Sequence, residues 1–153
     1  MKALELKVPP PAVALIIAVL MWLMARALPA LDFEFAPGSL IGSVLALTGI
    51  ATAVAGVVTF ARAKTTVNPT TPQAATSLVS SGIYRMTRNP MYLGLLLILT
   101  AWALYLSNVL PFLLLPVFIL YLNHFQIAPE ERALASLFGR EFAAYRSRVR
   151  RWI

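Results

Sequence analysis

No Asp, Glu, Lys or Arg stands between Arg88 and Glu130, and no acidic residue at all between Glu34 and Glu130. Apolar runs of that length without charge are read as membrane spans, because burying a bare charge in hydrocarbon is costly. With 59% apolar and 12% charged residues and a mean hydropathy of +0.77, the chain lies outside the range of soluble domains. A spanning backbone must satisfy its own hydrogen bonds, so helices are the expected element. The sequence therefore predicts an all-α integral membrane protein forming a single membrane domain over 1–153. It should have about four transmembrane helices, an amphipathic C-terminal helix and both termini cytoplasmic.

The first span is expected over about 11–28, where roughly 18 residues at about 1.5 Å each just cover the hydrocarbon core. Pro9, Pro10 and Pro11 stop it from extending backwards. Lys2 and Lys7 before the run, with Ala27, Leu28, Pro29 and Ala30 after it, also have the form of a secretory signal, and retention as a span is the favoured reading. A second span is expected over about 39–61, with Gly42, Gly49 and Gly56 spaced by seven so that another helix can approach one face. A third over about 90–106 and a fourth over about 109–125 form a hairpin about Ser107 and Asn108, with Pro111 tolerated in the first turn and Pro116 expected to kink the fourth span.

The intervening segment over 62–89 carries Pro69, Pro72, Gly82 and several basic residues, and reads as a long cytoplasmic loop. After Pro129, the residues Leu134, Leu137, Phe138, Phe142, Tyr145 and Val149 share one helical face among arginines. This predicts a helix over 129–150 that lies on the membrane surface or packs on the loops. Twelve of the thirteen Lys and Arg fall in the amino terminus, the loop and the tail, which assigns those segments to the cytoplasm and leaves Arg26 on the other side. The net charge of +7 flanks apolar spans without an aromatic-interleaved basic face, so anionic lipids rather than nucleic acid are the expected partners. The absence of cysteine excludes disulfides and thiolate chemistry, and no metal site is expected.

Two places carry chemistry. Glu130 and Glu131 stand where the fourth span leaves the bilayer; they read either as a functional pair or as a solvated helix start behind Pro129. At the start of the third span, Asn89 is placed to cap a helix opening at Pro90, with Arg85 and Arg88 nearby. That arrangement reads as an anion site or as an interface anchor of arginine and tyrosine.

Taken together these residues resemble the isoprenylcysteine carboxyl methyltransferases and their phospholipid methyltransferase relatives. The resemblance rests on Leu78 to Tyr84, Arg88 to Gly94, Glu130 to Leu134 and Phe138 to Tyr145, in matching order and spacing over about the second half of the chain. It implies S-adenosylmethionine held in a pocket open to the cytosol, with a lipid-soluble acceptor entering from the bilayer. The cofactor contacts it implies are Ser77, Leu78, Val79, Tyr84, Asn89, Pro90, Tyr92 and Glu130. Glu130, His124 and Arg88 are the candidates for a catalytic role, although a lone histidine at a span's end, as His124 is, reads more often as a hydrogen-bonded interface residue.

Two positions depart from the family pattern. Asn89 stands where a histidine is frequent, and Gln126, the implied substrate-binding position, replaces an arginine thought to face a substrate carboxylate. The acceptor is therefore expected to be an isoprenylcysteine-like carboxylate or another lipidic nucleophile. The competing readings are a non-enzymatic membrane protein that keeps the fold, a sterol-reductase-like oxidoreductase, and a four-span transporter, which normally needs an ionisable residue in mid-membrane that no span here carries.

Overall fold

A computed structural model describes residues 5–63 and 75–153, so the middle of the loop expected over 62–89 lies outside the described residues. The elements are α1 (Pro10–Ala27), α2 (Gly38–Arg62), α3 (Pro90–Leu106), α4 (Leu114–Leu122) and α5 (Ala128–Arg148). Single 3-10 turns occupy Pro29–Leu31, Gly82–Arg85 and Leu110–Leu113, and a π-helical turn occupies Asn123–Ile127. Among the described residues there is no strand, only an isolated bridge between Asp32 and Asn108.

Pro10–Ala27, Gly38–Arg62 and the continuous helical run Leu110–Arg148 are each long and apolar enough to cross a membrane. The fourth apolar helix, Pro90–Leu106, has 17 residues; at about 1.5 Å per residue it reaches roughly 25 Å. Helices thus occupy all four stretches expected as spans, the first three starting within a residue of the expected position and the fourth beginning with the 3-10 turn at Leu110 before α4 starts at Leu114.

The fourth span departs from expectation at its other end. Instead of stopping near 125 and restarting at Pro129, the helix runs on through the π-helical turn into α5. Pro129 has no N–H for the carbonyl of Phe125, and that carbonyl instead accepts from the backbone N–H of Leu6 at 3.0 Å. Nor does Pro116 fall inside an established helix. The preceding residues wind as a 3-10 turn, α4 starts at Leu114, and Pro116 lies in the first turn, where its missing N–H costs no α-helical bond. The break comes later, at Gly139, whose φ of 43° and ψ of −113° interrupt α5.

The core lies between α1, α3 and α4, where Val13, Ile17 and Met21 meet Leu99, Ala103, Phe118 and Leu122. Trp102 ties α3 to α1 by donating its Nε1–H to the carbonyl of Ala18 at 3.0 Å. α2 lies outside this core and packs along α3. The approach is so close that a Cβ at Gly94 would meet the carbonyl oxygen of Gly49 at 2.5 Å, and one at Gly56 would meet Met91 Cγ at 2.8 Å. The rest of α2, including Leu40, Leu47, Ile50 and Val54, is exposed and suits contact with lipid.

At one end of the bundle the buried Asn108 donates to Asp32 Oδ1 at 2.7 Å and to the carbonyl of Leu28 at 2.9 Å, joining the two short loops. At the other end lie the amino-terminal segment, the start of α3 and the carboxyl-terminal tail. Glu5 pairs with Arg132 at 2.5 Å, and the carbonyl of Arg150 accepts from the N–H of Arg88 at 3.0 Å.

Candidate functional site

Pro90 opens α3 because its fixed φ suits a first helical position, but Asn89 does not cap the helix with its side chain. Thr87 takes the local role, its hydroxyl accepting the Asn89 N–H at 3.2 Å. The Asn89 amide is turned to the tail, donating from Nδ2 to the carbonyl of Arg151 at 2.9 Å. The expected pair of arginines for an anion is likewise dispersed. Arg85 is exposed, whereas Arg88 is drawn in to Glu131, its Nη2 2.8 Å from Oε1. Its Nη1 donates to the carbonyls of Arg146 and Val149 at 3.0 and 2.7 Å. A cation on the last carbonyls of α5 meets the negative end of that helix, and this favours the inward position of Arg88.

α5 supplies the opposite wall. The first turn of α5 brings Glu130 toward α3 and Glu131 toward the tail. Tyr92 donates its hydroxyl to Glu130 Oε1 at 2.5 Å, and Gln126, in the π-helical turn, donates to the same oxygen at 2.6 Å. Gln126 and Glu130 are four residues apart on one helical run and so lie on the same face. Gln126 is only 2% exposed, and its amide is directed to Glu130.

These walls surround a partly open pocket whose cavity volume is about 100 Å³. Of the residues expected to meet a cofactor, Ser77, Leu78, Val79, Tyr84, Asn89, Tyr92 and Glu130 line it together, and Arg88 and Glu131 join them. Pro90 is buried against α2 beside Gly56 and is not among the lining residues. His124 is exposed, with its ring edge-on to Phe125 at 4.7 Å, and does not line the pocket either.

Several lining residues had no role in the sequence reading. Phe60 closes the pocket from α2, its ring edge-on to Tyr84 at 5.2 Å. Its signal is hidden, because an aromatic at the end of an apolar span looks like any other. Leu134, Phe142 and Tyr145 come from the apolar face of α5, and Tyr145 donates its hydroxyl to the carbonyl of Tyr84 at 2.7 Å. Their spacing marked a buried face without saying what it covers.

The electrostatics of the two carboxylates are opposed. Burial pushes Glu130 up to about 7, against the lowering effect of the hydrogen bonds from Tyr92 and Gln126, with the charge of Glu131 adding to the rise. Burial pushes Glu131 the same way but loses to the hydrogen bonds and charges of Arg151 and Arg88, so its carboxyl is held below the usual value. Burial also raises the Tyr84 phenol. That hydroxyl is buried and has no hydrogen-bond partner among the described residues, and Tyr84, only 4% exposed, lines the pocket. An unmatched buried hydroxyl costs free energy unless a ligand meets it.

A family model described as phospholipid methyltransferase matches residues 38–141. A Haemophilus influenzae protein described as uncharacterized is 56% identical over 63 residues, 41% of this chain and 100% of that protein. No solved structure matches the chain. The matched region runs from the start of α2 into α5 and contains every lining residue of the pocket except Phe142 and Tyr145, and the chain belongs to the phospholipid methyltransferase family, a family of membrane methyltransferases that takes in isoprenylcysteine carboxyl methyltransferase-like proteins.

Proposed function

We propose that this multi-pass membrane protein is an S-adenosylmethionine-dependent methyltransferase acting on a lipid-soluble acceptor, with both termini in the cytoplasm. The observation that carries the reading is the pocket between α3 and α5, where a buried carboxylate faces aromatic walls and an unmatched hydroxyl. The residues present fit the cofactor's chemistry. Glu130 suits a ligand ammonium, the rings of Phe60, Tyr84 and Phe142 suit an adenine or a sulfonium, and the Tyr84 hydroxyl offers a donor. When bound, the cofactor supplies a methyl group on a sulfonium.

The part left to this chain is to bind, orient and keep water out, since a displacement that discharges a sulfonium needs no strong acid. Tyr92 and Gln126 fix Glu130, and Arg88 and Arg151 fix Glu131 beside it. An ionised Glu130 about 4 Å from a cation is worth about 4 kcal/mol at an effective dielectric of about 20. That favours binding and does not by itself speed transfer. Met91 and Tyr92 reach the pocket from a helix otherwise set in the apolar layer, which suits an acceptor arriving from lipid. Among the described lining residues the cation, Arg88, is already paired with Glu131, and Gln126, which lies behind Glu130 and does not line the pocket, brings no charge. Both points weigh against a carboxylate acceptor and favour another lipidic nucleophile.

Calorimetric titration of the detergent-purified protein with S-adenosylhomocysteine is the test. Micromolar or tighter binding is expected, weakened by Glu130→Gln. No binding at millimolar ligand contradicts the proposal and favours a chain that keeps the fold without the chemistry.

A further inference from the structure

The last residues of the chain are bound to the site more tightly than a solvated tail needs to be. Val149 to Trp152 run back across the start of α3 and supply three carbonyl acceptors to it: Val149 to Arg88 Nη1 at 2.7 Å, Arg150 to the Arg88 N–H at 3.0 Å, and Arg151 to Asn89 Nδ2 at 2.9 Å. The Arg151 carbonyl also accepts the Thr87 hydroxyl at 3.2 Å. Its guanidinium makes a two-pronged contact with Glu131, Nη2 to Oε2 at 2.6 Å and Nε to Oε1 at 3.2 Å. Arg151 Nη1 and Trp152 Nε1 then meet the same oxygen, Asn123 Oδ1, at 3.4 and 3.2 Å. One residue thus touches the loop before α3, the first turn of α5 and the π-helical turn.

We propose that Arg151 is a positioning residue of the ligand site, acting through Glu131 and Asn89 to hold the α3 wall opposite Glu130 and to balance the charge beside it. This rests on the reading of the pocket as an S-adenosylmethionine site. The physical link is short. Glu131 is shared between Arg88 and Arg151, and a forked contact on a carboxylate fixes its direction as well as its charge. The groups that face Glu130 are Tyr84 from the 3-10 turn, Tyr92 from α3, Gln126 from the π-helical turn and Glu131 from α5. Arg88 and Arg151 act on it through Glu131, and Arg88 also faces Tyr145. Removing the charge of Arg151 leaves Glu131 less compensated. Its field then makes Glu130 harder to ionise, and a ligand ammonium meets a carboxyl that keeps its proton to higher pH.

The test is the affinity of the full-length protein for S-adenosylhomocysteine between pH 5.5 and 8.5, about three units. Arg151→Gln is expected to lower affinity at least about tenfold at neutral pH and to move the pH midpoint of binding upward by about half a unit or more. Arg151→Lys, which restores charge without the fork, returns the midpoint but recovers only part of the affinity. Glu131→Gln moves the midpoint downward, the opposite direction, and decides the matter if Arg151→Gln does not fold. Wild-type affinity and midpoint in Arg151→Gln overturn the proposal. So does equal loss in the Gln and Lys variants with no change of midpoint, and so does an unmoved midpoint in Glu131→Gln. Failure of the wild-type protein to bind the ligand overturns instead the reading on which the proposal rests.

Discussion

Glu130 and Glu131 are neighbours in sequence with opposite electrostatic fates, and the difference lies in their partners. Glu131 has two guanidinium groups, whereas Glu130 has a phenol and an amide on one oxygen. A carboxyl raised on folding binds more protons in the folded state between its unfolded value of 4.5 and its folded value of about 7, so this group makes stability fall as pH rises through that window. Glu130→Gln removes the slope, and the ligand-free variant is expected to gain up to about 3 kcal/mol over the wild type at pH 8, read from thermal unfolding in detergent. Glu131 has the opposite sign, its contribution being present above the unfolded value of 4.5 and lost as pH falls into the acid range through the lowered folded value. The pairing of the basic turn with the acidic pair was legible from residue types, since two arginines and two glutamates near span ends need partners. The details were not. Asn89 looked like a cap because of its position before Pro90, and the tail that takes its amide is remote in sequence.

The clearest success of reading elements from sequence is α2, where Gly42, Gly49 and Gly56 recur on one face and α3 packs against that face. Gly94, the partner on α3, sits against the carbonyl of Gly49 and the Cβ of Ala53. Backbone cannot yield as a flexible side chain does, so Gly94→Ala is expected to destabilise the protein by about 1–3 kcal/mol, measured as a lower unfolding midpoint. The opposite end of the bundle offers a polar counterpart. Asn108 is fully buried and holds both short loops, and Asn108→Ala is expected to cost about 1–3 kcal/mol by emptying a buried position and removing its hydrogen bonds to Asp32, the Leu28 carbonyl and the Leu110 N–H. An unchanged melting curve in either variant counts against the packing described for it. The continuity of α4 into α5 was not legible, because Pro129 carries the ordinary signature of a helix start. What keeps the run intact is the π-helical turn and a donor from Leu6, far away in sequence.

At the scale of the whole molecule, chemistry is concentrated at one end of an apolar bundle. The amino-terminal segment, the start of α3 and the tail meet there, and the proposed orientation puts that end in the cytoplasm. The chain has no cysteine, so single cysteines can be introduced without background. A cysteine at Glu141 is expected to react with a membrane-impermeant thiol reagent only from the cytoplasmic side, and one at Glu34 only from the other. The reverse pattern contradicts the orientation. The pocket itself is lined from α2, the segment before α3, α3 and α5 at once. The most direct test of that pocket as a site where Glu130 meets a ligand ammonium is proton release on binding, read by calorimetry at pH 6 in buffers of different ionisation enthalpy. The account predicts that S-adenosylhomocysteine binds with release of close to one proton, lost in Glu130→Gln. Binding without proton release, or the same release in Glu130→Gln, contradicts it.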